Sequence, residues 1–300
     1  MTVRTRNWLI ALVILAFPFV LFFGCLLFLK LEPLAPLAPL PNPNGYDDLV
    51  RAGQMVTGDP GIYGQMNEAQ LRDLTTRNAE ALQLLHAGLS NQCRVPVQFS
   101  VVYEENHVND LVALRRLALT LAAKARLAEM EGHPGNAAES YLEVVHLGIE
   151  SPRGGQVIDQ LVGTAFEAIG VVGLQGLIGQ LDAKTCREAA ATMETLDAQR
   201  QSWNDVMLEE RYWSLRTFPG IGNELGRLVM HNSLKESYQL AEEKLREQNK
   251  KAHQLMINLA ARAYELDKGK RPANVAALMP EYLKAIPQDP VTGTNLILSP

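Results

Sequence analysis

The sequence predicts an all-α protein with a single N-terminal transmembrane helix, a helical bundle containing αα-hairpins, and a small irregular cap at the C-terminus. Three observations support this prediction. The stretch from Trp8 to Leu29 contains no charged residue, apolar residues recur at helical spacing through most of the remainder, and Gly and Pro cluster in short breaks between these stretches. The 300 residues are 47% hydrophobic and 20% charged, which excludes a disordered, collagen-like or disulfide-rich chain.

The uncharged N-terminal stretch is predicted to cross a membrane once. From Trp8 to Leu29 a helix measures about 33 Å, enough for a hydrocarbon core of about 30 Å. Arg4 and Arg6 precede the stretch, so the positive-inside rule places the N-terminus in the cytoplasm and residues 31–300 on the other side. We therefore expect the chain in the inner (cytoplasmic) membrane of a bacterium, with an extracytoplasmic body.

Two alternatives to a retained anchor use the same stretch. A cleaved signal peptide has an apolar region of about 7–15 residues that ends in small residues at the cut, whereas this run is longer and no A-x-A site follows it. A lipoprotein would be processed at Gly24-Cys25, but Phe22 and Phe23 occupy positions that favour small or aliphatic residues. The retained anchor is therefore the better prediction.

The breaks divide the chain into five segments. They are 1–30 (cytoplasmic tip and transmembrane helix), 31–45 (Pro-rich spacer), 46–181 (helical domain), 182–268 (long αα-hairpin) and 269–300 (C-terminal cap). Proline fixes φ and removes a backbone donor, so the spacer is expected to be extended and semi-rigid. Capping and breaker residues predict one helix from Asn67 to Leu89 and, in the hairpin, helices from Ala183 to Phe218 and from Asn223 to Asp267.

The second helix of the hairpin carries a heptad seam. Its seam positions are spaced alternately by four and three residues from Leu234 to Leu259, the pattern that coiled coils use. The seam is weak at Gln248 and small at Ala241 and Ala252, whereas a strong parallel dimer needs larger apolar residues there. We therefore predict packing within the chain, and self-association of the long helices is the open alternative.

Residues 156–181 are apolar and rich in glycine. Four glycines step by three along this stretch and wind around the helix: Gly170, Gly173, Gly176 and Gly179. Each weakens the helix by about 1 kcal/mol relative to alanine, so we expect them to permit close approach of a neighbouring backbone. A second membrane span is the alternative, but Asp159 and Glu167 favour a buried helix of a soluble domain because ionisable groups in a membrane are costly.

The sequence offers little catalytic chemistry. Glu104/His107 and Glu143/His146 are Glu-x-x-His pairs, which bind metal together in di-iron four-helix bundles. A break at 132–136 is expected to turn the chain back and place the two pairs at opposite ends of a hairpin. We therefore predict no catalytic, cofactor-binding or metal-binding residues and no cofactor; an enzyme with a dispersed site is an open alternative.

Charge and cysteine content limit the partners further. The formal net charge is -5, and the one dense cationic stretch, Lys244 to Lys251, is interrupted by Glu247. Nucleic acid is therefore not an expected partner, since its binding needs clustered basic residues. Cys93 and Cys186 would pair only if their Cα atoms lay within bonding range, which the sequence leaves open.

Residues 121–149 resemble a single tetratricopeptide unit. The matching residues are Leu121, Ala125, Ala128, Gly132, Ala137, Tyr141 and Val144. This resemblance implies two close-packed helices of the protein-binding kind. Only one copy is found, whereas at least about three repeats are normally stacked, so a helix-hairpin is implied and not a superhelix.

The C-terminal stretch carries a more specific resemblance. It contains, in order, Leu266-Asp267-Lys268-Gly269-Lys270-Arg271-Pro272, Tyr282-Leu283, Ile286-Pro287 and Asp289-Pro290-Val291-Thr292-Gly293. This order is similar to the region of type II secretion major pseudopilins where the long helix ends, and it implies a folded cap in an extracytoplasmic setting. The prepilin-peptidase site of that family is not found in its usual place, so filament assembly is not implied. The whole layout also resembles envelope proteins of planctomycete-type bacteria.

These features together predict a membrane-tethered extracytoplasmic helical scaffold or protein-interaction module, whose partner is a protein that the sequence does not identify. Two alternatives stay open at this point. One is an envelope secretion component related to pseudopilins, and the other is the enzyme with a dispersed site.

Overall fold

The computed structural model describes residues 38–217 and 221–298, together with 16–18 and 24. The described part of the chain is helical and contains no β-strand, which confirms the predicted all-α class. Apart from 16–18 and 24, which are helical, the predicted transmembrane segment 1–30 lies outside the described residues. The membrane anchor and its orientation therefore stay predictions.

The helices are bounded by the caps and breakers of the sequence. Their order is α1 Gly45–Met55, α2 Glu68–Arg77, α3 Ala79–Leu89, α4 Val101–Met130, α5 Pro134–Glu150, α6 Val157–Leu177, α7 Ala183–Asp197, α8 Trp203–Thr217 and α9 Ile221–Lys268. Short 3-10 helices occupy Pro60–Gln65, Ile178–Gln180 and Val275–Leu278. Asp182, which the sequence predicts as an N-cap, accepts a hydrogen bond of 2.7 Å from the backbone N–H of Thr185 at the start of α7.

Backbone contacts divide the chain into two units. One unit contains residues 39–217 and 232–300, and we call it the helical body. The other contains residues 1–38 and 218–231. Helix α9 therefore belongs to both units, because its residues from Asn232 onward are part of the helical body.

Helices α2 and α3 replace the single helix expected from Asn67 onward. The capping box at Asn67 is present, but the helix is interrupted at Asn78. The buried Asn78 amide donates to the carbonyl oxygen of Leu74 and accepts from the backbone N–H of Thr57, both at 2.8 Å. Asparagine side chains compete with helical hydrogen bonds in this way, and here the competing bond anchors the loop that follows α1.

The helix expected from Ala183 to Phe218 is likewise divided, into α7 and α8. At the break, the Arg200 guanidinium donates to both carboxylate oxygens of Glu167 in α6, at 2.6 and 2.8 Å. Its Nε donates to Asp197 at 2.6 Å. The segment 182–268 therefore contains three helices where the sequence predicts a two-helix αα-hairpin.

Two groups of buried apolar side chains form most of the core of the helical body. The first, the N-terminal core, includes Leu49, Leu85, Leu114 and Leu147. The second, the C-terminal core, includes Leu174, Met193, Leu259 and Leu278. Helices α4 and α5 contribute to both groups, since Val144 and Val145 are neighbours in sequence but belong to different cores. Helix α6 does the same with Phe166 and Leu174, so the two cores share three helices.

Glycines allow α5 and α6 to pack with their backbones in contact. A Cβ atom on Gly148 would lie 2.6 Å from the carbonyl oxygen of Gly163, which is much closer than real side chains approach. Gly170 and Gly173 of the glycine series lie against Tyr141 of α5, whereas Gly176 has nothing within 4 Å of its Cβ position. The expected close approach of a neighbouring backbone is found at Gly170, whereas Gly173 faces the Tyr141 ring.

Within the described residues, the stretch Val157–Gln180 is long and apolar enough to cross a membrane by length and composition. The core helix of a soluble protein meets the same criteria, and part of this stretch is buried in the structure. Leu174 and Leu177 are buried in the C-terminal core, and Asp159 and Glu167 are both buried, at 2% exposure each. Part of this stretch is therefore packed within the helical body, whereas Ile158 and Val172 are 50% and 71% exposed.

The heptad seam of α9 also packs within the chain. Ala252, Leu255 and Leu259 belong to the C-terminal core, and Ala241 packs against Val206 of α8. These contacts occupy the seam from Ala241 to Leu259. The alternative of a self-associating seam would need this part of α9 to leave its own core.

Residues 269–298 form the cap on the end of α9. Gly269 ends that helix with a φ of +68°, a conformation that glycine adopts without steric cost. Asp289 closes a tight turn by accepting from the backbone N–H groups of Val291 and Thr292. The apolar side chains that fix the cap to the helical body are Val275, Leu278, Tyr282 and Leu283.

Candidate functional site

An open groove lies where the end of α6, the C-terminal part of α9 and the cap meet. It encloses about 490 Å³, and we call it the cap groove. Its polar lining consists of Gln175, Asn258, Arg262, Glu265 and Arg271. Its apolar lining includes Ile178, Ala261 and Leu298. A ligand with both a charged and an apolar part would therefore find matching surfaces.

The positions of the polar residues follow from helix geometry. Asn258, Arg262 and Glu265 are spaced by four and three residues along α9, so their side chains share one face of the helix. Gly269 ends α9 and reverses the chain, which brings Arg271 back beside Glu265. The side-chain amide of Asn258 donates to Gln175 of α6 at 3.1 Å and so links the two walls.

The cap groove carries more positive than negative charge. The Arg271 Nε donates to Glu265 at 2.9 Å, and the Arg262 Nη1 lies 3.7 Å from the same carboxylate. Two guanidinium groups therefore share one acid. The Arg262 Nε is buried and has no hydrogen-bond partner. Guanidinium groups bind carboxylates in a planar fork, so the two arginines of the groove lining suit an anionic oxygen.

A second groove, of about 330 Å³, lies between α2, α3 and α4. Its lining includes Thr75, Gln83, His86 and Lys124. Next to it, His86 Nδ1 lies 2.9 Å from Glu143 of α5, and Lys124 Nζ lies 3.9 Å from the other oxygen of that carboxylate. Burial raises the pKa of Glu143, and the charges of His86 and Lys124 act in the opposite direction.

The histidines of the two Glu-x-x-His pairs lie in different surroundings, and the Glu104 side chain lies outside the part of the structure that is described. Glu143 contacts His86, and His146 is a separate, largely buried residue whose pKa is lowered by that burial. The other histidine, His107, is buried and bonds to Asp159 through Nε2 at 2.7 Å. In the described part of the chain, no group of three or more His, Cys, Asp or Glu residues is arranged to hold a metal ion.

The His107 contact is part of a buried polar cluster that links α4 to α6. The Tyr103 hydroxyl lies 3.2 Å from His107 Nδ1, and the second oxygen of Asp159 accepts from the backbone N–H of Gln156 at 2.7 Å. Burial acts to lower the pKa of His107, but the Asp159 carboxylate outweighs it and the pKa is raised. Asp159 is 52 positions from His107, so no local sequence pattern could reveal this pair.

A larger ionic network connects α6, α7, α9 and the cap. Asp197 accepts from Arg200 and also lies 2.9 Å from His253 Nε2 of α9. The other ring nitrogen of His253 lies 2.7 Å from the backbone carbonyl oxygen of Gln288 in the cap. Although burial alone would lower it, the carboxylates of Glu167 and Asp197 raise the pKa of Arg200. No sequence pattern indicates this network, because its members lie far apart in the chain.

Cys93 and Cys186 are free thiols in the structure. Cys93 belongs to the N-terminal core and Cys186 to the C-terminal core. Burial raises the pKa of the Cys93 thiol to about 12 and that of Cys186 to about 11. Both are therefore protonated at neutral pH, a state in which thiols react slowly.

Comparison of the chain with known protein families, with curated proteins and with solved structures gives no match.

Proposed function

We propose that the chain is a membrane-tethered extracytoplasmic scaffold that binds a partner protein through the cap groove. The observation that carries the proposal is the pair of guanidinium groups, Arg262 and Arg271, that share the single carboxylate of Glu265. The groove volume of about 490 Å³ is within the usual range for binding sites, about 300–1,000 Å³.

The chemistry of the groove specifies the partner segment. A carboxylate on the partner would pair with the guanidinium groups of Arg262 and Arg271, which line the groove with one acid between them. An adjoining apolar side chain would pack on Ile178 and Leu298. We therefore propose a short acidic segment of a partner protein as the occupant. The polar lining contains amides, arginines and one acid, and so it suits binding better than acid–base catalysis.

The test is cross-linking of the full-length chain in spheroplasts with a reagent that does not cross the inner membrane. Partner capture by such a reagent requires the helical body to lie outside the cytoplasm. We expect Arg262→Gln to reduce capture about tenfold, because charged hydrogen bonds contribute about 1.5–3 kcal/mol. Arg246→Gln is the matched control, since Arg246 is on the same helix and pairs with Glu242 outside the groove.

Three results would count against the proposal. Equal capture by the wild type and Arg262→Gln would exclude the cap groove as the binding surface. Capture only by a membrane-permeant reagent would exclude the extracytoplasmic location. Recovery of pilus-type proteins would favour the secretion component related to pseudopilins. Thermal unfolding of each variant, followed by circular dichroism, shows whether a loss of capture is a loss of fold.

A further inference from the structure

The outer part of the cap, residues 284–298, is held to α9 by polar contacts on one face of that helix. Three such contacts join α9 to the cap: His253 Nδ1 to Gln288 O at 2.7 Å, Lys250 Nζ to Asp289 at 2.7 Å, and Gln254 Nε2 to Ile297 O at 3.2 Å. The inner part of the cap is different, because Leu278 and Leu283 are buried in the C-terminal core. In the outer part, Ile286, Leu296 and Leu298 are only partly buried against that core, so hydrogen bonds hold a larger share of it. They include two from the backbone N–H groups of Lys284 and Ala285 to Glu194 of α7.

The partners of His253 determine its charge. Gln288 offers a backbone carbonyl oxygen, which only accepts hydrogen bonds. The Asp197 carboxylate accepts a hydrogen bond of 2.6 Å from Arg200, which favours its ionised form. An ionised carboxylate only accepts hydrogen bonds, so Asp197 is also an acceptor toward His253. Both ring nitrogens must therefore donate, and only the doubly protonated imidazolium carries two N–H groups. The position of His253 between two acceptors requires a positive charge.

The charged groups around His253 lie on α6, on α7 and the break that follows it, on α9 itself and on the cap. Asp197 of α7 contacts the ring, and Arg200, at the break after α7, lies on the far side of Asp197 and is neutralised by Glu167 of α6. Lys250 of α9 is paired with Asp289 of the cap. The carboxylate in direct contact is thus the strongest influence that favours the proton. Burial opposes this effect, yet the pKa of His253 is raised above its usual 6.5.

We propose that His253 is a proton-dependent latch, which holds residues 284–298 of the cap against α9 when the ring is doubly protonated and releases them when one proton is lost. A neutral ring would present a nitrogen lone pair to either Gln288 or Asp197, both of which are acceptors. One of the two bonds would then be lost and replaced by repulsion. The inner cap stays in place because its apolar side chains remain buried.

The direction of the pH dependence follows from the raised pKa. The latch contributes its full stability below the unfolded-state pKa of about 6.5 and loses it as the pH rises through the higher folded-state value. Release therefore occurs as the pH rises through a value above 6.5. Leu298 lines the cap groove, so release would also move one wall of that groove. The latch rests on its own contacts and does not require the proposed function.

Two measurements on the full-length chain in detergent micelles test the latch. The first is an NMR titration of the histidine Cε1–H signals, with His253 assigned by its absence in His253→Gln. The second is hydrogen exchange by mass spectrometry of residues 284–298, corrected for the intrinsic pH dependence of exchange. We expect His253 to titrate above 6.5 and the corrected exchange to rise about tenfold once that proton is lost.

Variants separate the latch from a merely structural role. In His253→Gln the corrected exchange of 284–298 should be fast and independent of pH. In Asp197→Asn the midpoint of the change should move to lower pH, because the charge that favours the proton is removed. His86→Gln is the matched control, since His86 contacts Glu143 and not the cap, and it should behave as the wild type.

The proposal fails if His253 titrates at or below 6.5, or if the corrected exchange of 284–298 is the same on both sides of its titration. It fails equally if His253→Gln keeps the wild-type pH dependence. If that variant does not fold, the titration and exchange of the wild-type chain, with assignment from Asp197→Asn, still decide the question. Loss of partner capture in the cross-linking experiment would leave all these results unchanged.

Discussion

At the scale of single residues, buried carboxylates hold the helices together by accepting several hydrogen bonds at once. Asp159 accepts from His107 of α4 and from the backbone N–H of Gln156 at the start of its own helix. Its side chain is 1% exposed, so each donor that it satisfies would otherwise be buried without a partner. Such a group contributes more to stability than an exposed ion pair does.

We expect Asp159→Asn to lower the free energy of unfolding by about 2–4 kcal/mol. The asparagine amide has one accepting oxygen where the carboxylate has two, and the negative charge that faces His107 is lost. Urea unfolding followed by circular dichroism measures this change. Asp73→Asn is the control, since Asp73 forms an exposed pair with Arg77. Equal stability of the two variants would show that the His107–Asp159 contact contributes little.

Local polar contacts could be predicted from the sequence, and distant ones could not. The caps at Asn67 and Asp182 follow from residue type and spacing within one helical turn, and both are present in the structure. The carboxylate partner of His107 and both partners of His253 lie more than 30 positions away. No spacing rule connects such residues, so the sequence placed His107 with Glu104 instead.

At the scale of helices, glycine sets the distance between α5 and α6. Gly148 and Gly163 face each other at the crossing, so the two backbones touch with no side chain between them. Such a contact tolerates no added methyl group, whereas an exposed helical glycine is simply a poor helix former. Glycine therefore stabilises the fold at Gly163, where α6 contacts the α5 backbone, and weakens the helix at the exposed Gly176.

We expect Gly163→Ala to destabilise the fold and Gly176→Ala to stabilise it by about 1 kcal/mol, the difference in helix propensity between the two residue types. At Gly163 the new methyl group meets the Gly148 carbonyl oxygen, and at Gly176 it meets nothing within 4 Å. Thermal unfolding compares the two variants with the wild type. A stabilising effect of both substitutions would mean that the crossing is not close-packed.

Helix breaks are the elements that sequence patterns predicted least well. Those made by glycine and proline, such as the one at 132–136, are visible because these residues cannot continue a helix cheaply. The breaks at Asn78 and Arg200 contain neither residue. Each is stabilised by a side chain that bonds elsewhere in the fold, Asn78 to Thr57 and Arg200 to Glu167. Such breaks depend on tertiary contacts that local propensity does not contain.

At the scale of the whole molecule, the helical body has two cores that share helices. Helix α4 contributes Leu121 to the N-terminal core and Ala125 to the C-terminal core. Helix α5 does the same with Val144 and Val145. Helical periodicity in the sequence was sufficient to predict the all-α class, but it did not show that one helix would serve two cores.

The two buried thiols report on the cores separately, Cys93 on the N-terminal and Cys186 on the C-terminal core. We expect pulse alkylation in increasing urea to label both at the same midpoint, because α4 and α5 cannot leave one core without disrupting the other. Mass spectrometry of the peptides distinguishes the two sites, and Cys93→Ala and Cys186→Ala confirm the assignment. Separate midpoints would mean that the two cores unfold independently.

The sharing of α4 and α5 has a practical consequence for finding what this protein binds. If the cores melt together, a ligand that occupies the cap groove raises the melting temperature recorded by any spectroscopic probe of the helical body. At a ligand concentration of about 100 times Kd the gain is about 2.7 kcal/mol, which shifts Tm by several degrees for a domain of this size. A library of acidic peptides could therefore be screened by thermal shift, without labels and without an assay for activity.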